Sequence, residues 1–118
     1  MAGHILIVDD DVIFRTLAAE LLATQGFDVL DEAADGLAAL AAVAGRCPEG
    51  ILLDIRLPGP DGFALAPSLA APFPDAKIVL ISAGIDHVPA DVLKTCAANA
   101  FLPKQDLAIA DLSALLGA

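Results

Sequence analysis

At 118 residues the chain has room for one domain with a layered core and too little for two of ordinary size, so residues 1–118 are read as a single domain. Apolar residues make up 58% of it, 25 of them alanine by direct count, so much of the surplus is helix-forming rather than bulky. Sixteen acids against six bases give a formal charge of −10, which repels nucleic-acid backbones and anionic membrane faces alike and argues against either as a direct partner.

No apolar run approaches the ~20 residues of a membrane span and no basic-then-apolar leader opens the chain, so a cytoplasmic location is expected. Cys47 and Cys96 lie far apart with no Cys-x-x-Cys spacing, and both are expected to be reduced and structural.

In chain order, His4 to Val8 is a short apolar run rich in β-branched residues, and similar runs recur at Phe27 to Leu30, Ile51 to Leu53, Ile78 to Ile81 and Ala100 to Leu102. Between and after these candidate strands lie segments of helical character at 12–25, 36–45, 62–70, 90–98 and 106–116. The first helix is expected to open on Asp11 as N-cap, to stack Phe14, Leu17 and Leu21 on one face, and to stop at Gly26. The third is expected to be short or kinked, because Pro67 follows the N-cap Asp61 closely.

Strict β–α alternation with nearly all-apolar strands implies a parallel sheet covered on both faces and joined by right-handed crossovers. The predicted fold is α/β: a flavodoxin-like three-layer α/β/α sandwich, with five strands in the order 2-1-3-4-5 and five helices.

In such sheets the functional site forms beyond the carboxyl ends of the strands, beside the point where strand order reverses. Polar chemistry appears there: Asp9-Asp10-Asp11 after strand one, Asp54 at the end of strand three, Ser82 at the end of strand four and Lys104 just after strand five. Three converging carboxylates repel unless a cation neutralises them, and hard oxygen donors with few protein contacts favour Mg²⁺, with Mn²⁺ as a substitute. Beside such a cation an aspartate oxygen can attack a phosphoryl group, with the Lys104 ammonium withdrawing charge, the Ser82 hydroxyl holding one phosphoryl oxygen and the Ala83 backbone N–H another.

Taken singly, each of these residues has a plainer use: Asp11 as a helix cap, Asp54 as a turn aspartate, Lys104 as a surface lysine. Only their joint placement at strand exits carries the inference. His4 and His87 lie outside any helical phosphodonor context and are given no role.

The segments ILIVDDD, ILLDIRLPGPDG, IVLISAG and AFLPK resemble, in order, the four signatures of response-regulator receiver domains, and they span nearly the whole chain. By position the resemblance implies that Asp9 and Asp10 are the acidic pair, Asp54 the phosphorylated residue and Arg56 a metal ligand through its backbone carbonyl. It implies further that Ser82 and Phe101 form the switch pair and that Lys104 is the site lysine.

The function so implied is that of a phosphoacceptor in a two-component phosphorelay. Asp54 takes the group from a sensor histidine kinase or phosphotransfer protein, and the face formed by helix four, strand five and helix five controls an output protein or fused effector domain, with a homodimer as a further association. Such a domain is a signalling module and not an enzyme, beyond its own phosphorylation and dephosphorylation. Two alternatives stay open: a phosphate sink or relay intermediate, and a phosphorylation-independent interaction module. A phosphohydrolase with an Asp-x-Asp acceptor fits poorly, since Asp54-Ile55-Arg56 has Arg in the third place.

The chain departs from the family at three points. Its fourth and fifth helices carry only Lys94 as a clear base against Asp91, Asp106 and Asp111, so the charged dimer network of one receiver subfamily is not expected. Two positions near the site also differ. Gln105 follows Lys104 where Pro is common, and position 101 is Phe where Tyr is common.

Overall fold

The computed structural model describes residues 3–44, 46–85 and 87–116. Five strands, β1 (His4–Val8), β2 (Asp28–Ala33), β3 (Gly50–Asp54), β4 (Lys77–Ser82) and β5 (Ala100–Pro103), form one sheet in the order β2-β1-β3-β4-β5. Every pairing is parallel. The expected order therefore holds.

The helices are α1 (Val12–Thr24), α2 (Gly36–Ala42), α3 (Gly62–Ala70), α4 (Ala90–Thr95) and α5 (Leu112–Leu116), with a 3-10 helix at Lys104–Ile109.

The period-two alternation of the strands sorts the core into two layers. Leu6, Val8, Ile51, Leu53, Ile78 and Leu80 face one side, where Ala39 and Val43 from the second helical segment and Leu65, Ala66 and Leu69 of α3 cover them. Ile5, Ile7, Leu52, Val79 and Ile81 face the other, under Phe14, Ala18 and Leu22 of α1, Leu107 of the 3-10 helix and Leu112 and Leu116 of α5. Three neighbouring strands β1, β3 and β4 are buried on both faces, which is why they read as continuous apolar runs.

The N-cap of α1 is Asp11, whose carboxylate accepts from the Ile13 and Phe14 N–H groups, and Gly26, at φ +89°, takes the left-handed conformation just past its end. The buried stripe of α1 is Phe14, Ala18 and Leu22; of the expected Phe14, Leu17 and Leu21, Phe14 belongs to it, Leu21 packs half-buried against the same layer, and Leu17 is 49% exposed. Small Ala18 lets the helix lie close on the sheet, and the larger leucine turns outward.

Strand β2 runs on to Ala33, past the apolar run that ends at Leu30, because an edge strand tolerates the exposed Asp31 and Glu32. Helix α3 covers the whole of 62–70 with Pro67 inside it, so the ring interrupts only one amide of the ladder.

The expected fifth helix, 106–116, is instead two pieces. A 3-10 turn ends at Ile109, and Asp111 then starts α5, its carboxylate accepting from the Ala114 N–H. The second and fourth helices stop short of the expected 36–45 and 90–98: α2 ends at Ala42, with Gly45 outside the described residues, and α4 ends at Thr95, followed by Ala97 at φ +65°. Cys96 is buried and fits a structural role, whereas Cys47 is exposed and does not; both are free thiols. Among the described residues no helix is long and apolar enough to cross a membrane.

Candidate functional site

Parallel strands end together, so the residues that follow β1, β3, β4 and β5 share one rim of the sheet. Carboxylate oxygens of Asp9, Asp10 and Asp54 come within 4.8 Å of one another there. Lys104, directly after β5, places its Nζ 2.7 Å from Asp9 Oδ2 and 3.5 Å from Asp54 Oδ2, so one ammonium bridges two of the three acids. The contact with Asp9 is an ion pair without the alignment of a hydrogen bond. The ammonium also lies 4.4 Å from the centre of the Phe14 ring, a cation–π contact that confines it from the α1 side.

Asp9 is fully buried, and the loop organises it locally: its Oδ1 accepts from the Asp11 N–H at 2.9 Å. Asp10 is exposed and has no side-chain partner among the described residues. Asp54 is 4% exposed and its Oδ1 accepts from the Arg56 N–H at 3.1 Å.

The charges answer these surroundings. Burial raises the Asp54 carboxyl above its ordinary value; the Arg56 N–H pulls it down, the Asp9 charge pushes it up again, and the nearby Lys104 is too weak to reverse the sum. Burial alone would lower Lys104, but the contact with Asp9 and the charges of Asp54 and Asp9 together outweigh it and hold the ammonium above its ordinary value.

Ser82 is fully buried at the end of β4 and its hydroxyl donates to the Ala83 carbonyl at 3.1 Å; Ala83 itself is exposed. Phe101, half-buried on β5, pairs in register with Leu80 and lines a shallow cavity of about 400 Å³ with His87, Val88 and Leu93. Arg56 is exposed, with its backbone N–H turned to Asp54. Asp9, Asp10, Asp54 and Lys104 thus gather as the strand-exit argument expected. Phe101 lies apart from them on the α4 side of the sheet.

Gly62 explains how the loop after β3 folds back on the acceptor strand. A Cβ there would sit 2.5 Å from the Asp54 carbonyl oxygen and 2.8 Å from the Ile55 Cα, so only glycine allows this approach, and its N–H donates to the Ile55 carbonyl at 2.8 Å.

One participant escaped the sequence reading. The Arg15 Nη1 donates to the Asp9 main-chain carbonyl at 2.6 Å, and its Nε lies 3.4 Å from Glu32 Oε1 on β2. Arg15 belongs to no motif and Asp9 lies outside its helix, so nothing in the sequence signals the contact, and the partner on β2 is visible only in three dimensions.

The family model described as response regulator receiver domain matches residues 5–116. The transcriptional regulatory protein AruR of Pseudomonas aeruginosa is 36% identical over 108 residues, covering 88% of this chain and 44% of AruR, so the chain spans less than half the length of that relative. The chemotaxis protein CheY of Listeria monocytogenes is 33% identical over 91 residues, 76% of each chain. The structure of Vibrio cholerae chemotaxis protein CheY4 superposes with a TM-score of 0.84 over 98% of this chain and 100% of that one; at 23% identity it bears on the fold alone. With its sheet order, its acid cluster and a family match across nearly its whole length, this chain belongs to the response regulator receiver domains of two-component systems.

Proposed function

We propose that the chain is a phosphoacceptor that takes a phosphoryl group on Asp54 from a phosphohistidine of a sensor kinase or phosphotransfer protein. The observation that carries this reading is the Lys104 ammonium held between buried Asp9 and Asp54, beside three carboxylates whose oxygens gather within 4.8 Å. Such a cluster in a partly buried site costs free energy unless cations answer it.

The donor set is all oxygen and carries more negative charge than one lysine offsets, which fits a hard divalent ion. Asp10, Asp54, the Arg56 carbonyl and, indirectly, Asp9 would hold Mg²⁺, or Mn²⁺ in its place. When bound, such an ion supplies charge withdrawal from the phosphoryl oxygens.

Every other part belongs to the chain. An Asp54 carboxylate oxygen forms the new bond to phosphorus as the bond from phosphorus to the donor imidazole nitrogen breaks, and that nitrogen leaves with the bonding pair. Lys104 moves its charge from Asp9 and Asp54 onto the incoming oxygens. The Ser82 hydroxyl, which now donates only to the adjacent Ala83 carbonyl, turns to a phosphoryl oxygen, and the exposed Ala83 offers its N–H to another. Movement of Ser82 is passed to Phe101 on the neighbouring strand, and so to the α4, β5 and α5 face that an output partner reads.

Intact-protein mass after incubation with acetyl phosphate, with and without Mg²⁺ and alongside Asp54→Ala, tests the reading. A single Mg²⁺-dependent phosphoryl adduct, absent in the variant, is expected. No adduct under any condition, with Mg²⁺ binding also absent, would leave the phosphorylation-independent interaction module as the better reading.

A further inference from the structure

We infer that Arg15 and Glu32 are a positioning pair for the acid cluster, through which the edge strand β2 sets the geometry of Asp9 and Asp10. The inference rests on the metal-dependent reading of that cluster given above.

Asp9 is held at every polar group. Its N–H donates to the Ala33 carbonyl on β2 at 2.9 Å, its Oδ1 accepts from the Asp11 N–H, and its Oδ2 pairs with Lys104. Its carbonyl accepts from Arg15 Nη1 at 2.6 Å, the shortest of these contacts. That carbonyl is part of the peptide leading into Asp10, so the contact that fixes its direction also fixes where the Asp10 side chain starts. Asp10 has no side-chain partner of its own among the described residues, so its aim depends on the backbone beneath it.

Arg15 is in turn paired with Glu32 by charge, its buried Nε facing the carboxylate without the alignment of a hydrogen bond. The side chains are 16% and 39% exposed respectively, and Glu32 immediately precedes the Ala33 whose carbonyl takes the Asp9 N–H. Strand β2 therefore grips Asp9 at both ends of the residue, directly at the amide and through Arg15 at the carbonyl. The planar guanidinium reaches the Asp9 carbonyl with a hydrogen bond from Nη1 while keeping its charge against Glu32, a two-sided arrangement that a single ammonium does not reproduce.

Position and charge make opposite demands, which separates them. If Arg15 acted only as a positive charge near the carboxylates, its removal would tighten cation binding, and lysine would replace it without loss. As a positioning residue its removal must weaken cation binding, and lysine must fail to rescue it.

The test is an amide-shift NMR titration of the isotope-labelled chain with MgCl₂ for wild type, Arg15→Gln, Arg15→Lys and Glu32→Gln, with metal-free thermal unfolding of each. Arg15→Gln and Arg15→Lys are expected to weaken Mg²⁺ binding alike, by roughly tenfold, the low end for partners that orient metal ligands, and Glu32→Gln to weaken it in the same direction. Unchanged or tighter Mg²⁺ binding in Arg15→Gln, or full rescue by Arg15→Lys, would overturn the inference, as would a lowered melting temperature with unaltered affinity. If Arg15→Gln does not fold, Arg15→Lys decides, because it keeps the charge and loses the two-sided contact: weakened Mg²⁺ binding supports the positioning pair and wild-type affinity overturns it. A wild-type chain that takes up no Mg²⁺ would overturn the functional reading itself, whereas uptake by the wild type with unaltered variants would overturn only the positioning pair.

Discussion

Asp54 is worse off ionised in the fold than out of it, because burial, helped by the charge of Asp9, outweighs the Arg56 N–H and Lys104. A carboxyl raised in this way contributes stability that is fully present below its unfolded pKa and is lost as pH climbs through its folded one. Asp54→Asn keeps an acceptor for the Arg56 N–H and removes that loss. Without metal it should therefore be more stable than wild type at neutral pH, by a margin that shrinks in acid; urea unfolding at both pH values measures this, and a less stable variant at neutral pH would contradict it. Lys104 has the opposite sign. Its folded pKa is raised, so its contribution is complete below the ordinary value of 10.5 and is lost only as pH rises through the folded value. Lys104→Met leaves the buried Asp9 without its ion pair, and because the Lys104 side chain is 17% exposed the expected cost at neutral pH is roughly 2–3 kcal/mol, below the ~3–5 kcal/mol for breaking a fully buried pair. Mg²⁺ should recover part of it in a thermal melt. Each of these side chains was legible in the sequence because polar residues at the ends of apolar runs stand out. Arg15 and Glu32 were not, since neither is unusual in its own segment and their meeting depends on the pairing of β1 with β2.

Helix α1 and the turn after β3 show how elements carry the site. Asp11 caps α1 with two backbone N–H groups, so Asp11→Ala should cost about 1 kcal/mol in denaturant unfolding and leave acyl-phosphate formation intact. Loss of phosphorylation there would instead make Asp11 part of the reacting cluster. Gly62→Ala has a different character, because the added methyl meets the backbone of Asp54 and Ile55 and no flexible side chain can yield. A destabilisation of about 1–3 kcal/mol is expected, together with slower phosphorylation of Asp54, both read on the same purified variant. Strand and helix order were legible from alternation, and so were the caps at Asp11, Asp61 and Gly26. The break in the last helix was not: residues 106–116 keep an apolar spacing that suits one helix, and the sign against it is Asp111, whose carboxylate takes the Ala114 N–H just before α5 begins at Leu112. The face of α1 was misjudged by one position because a leucine outranks an alanine in any apolar count, although the alanine packs closer to the sheet.

At the scale of the whole molecule, the three central strands are sealed on both faces and the chemistry is left to one rim. The carboxylates of that rim belong to a chain of net charge −10, so a cation is drawn to the cluster by the global field as well as by its ligands. Among the described residues the large exposed apolar side chains are Val12, Ile13 and Leu17 of α1, Leu37 and Leu40 of α2, Val92 of α4 and Ile109 of the 3-10 helix. The central claim is that Asp54, and neither Asp9 nor Asp10, forms the bond to phosphorus. Borohydride reduction of the acetyl-phosphate-treated chain converts an aspartyl phosphate to homoserine, and peptide mapping then locates it. Homoserine at position 54, dependent on Mg²⁺, is the expected result; homoserine at position 9 or 10, or at none of the three in a chain whose mass shows the phosphoryl adduct, would contradict it.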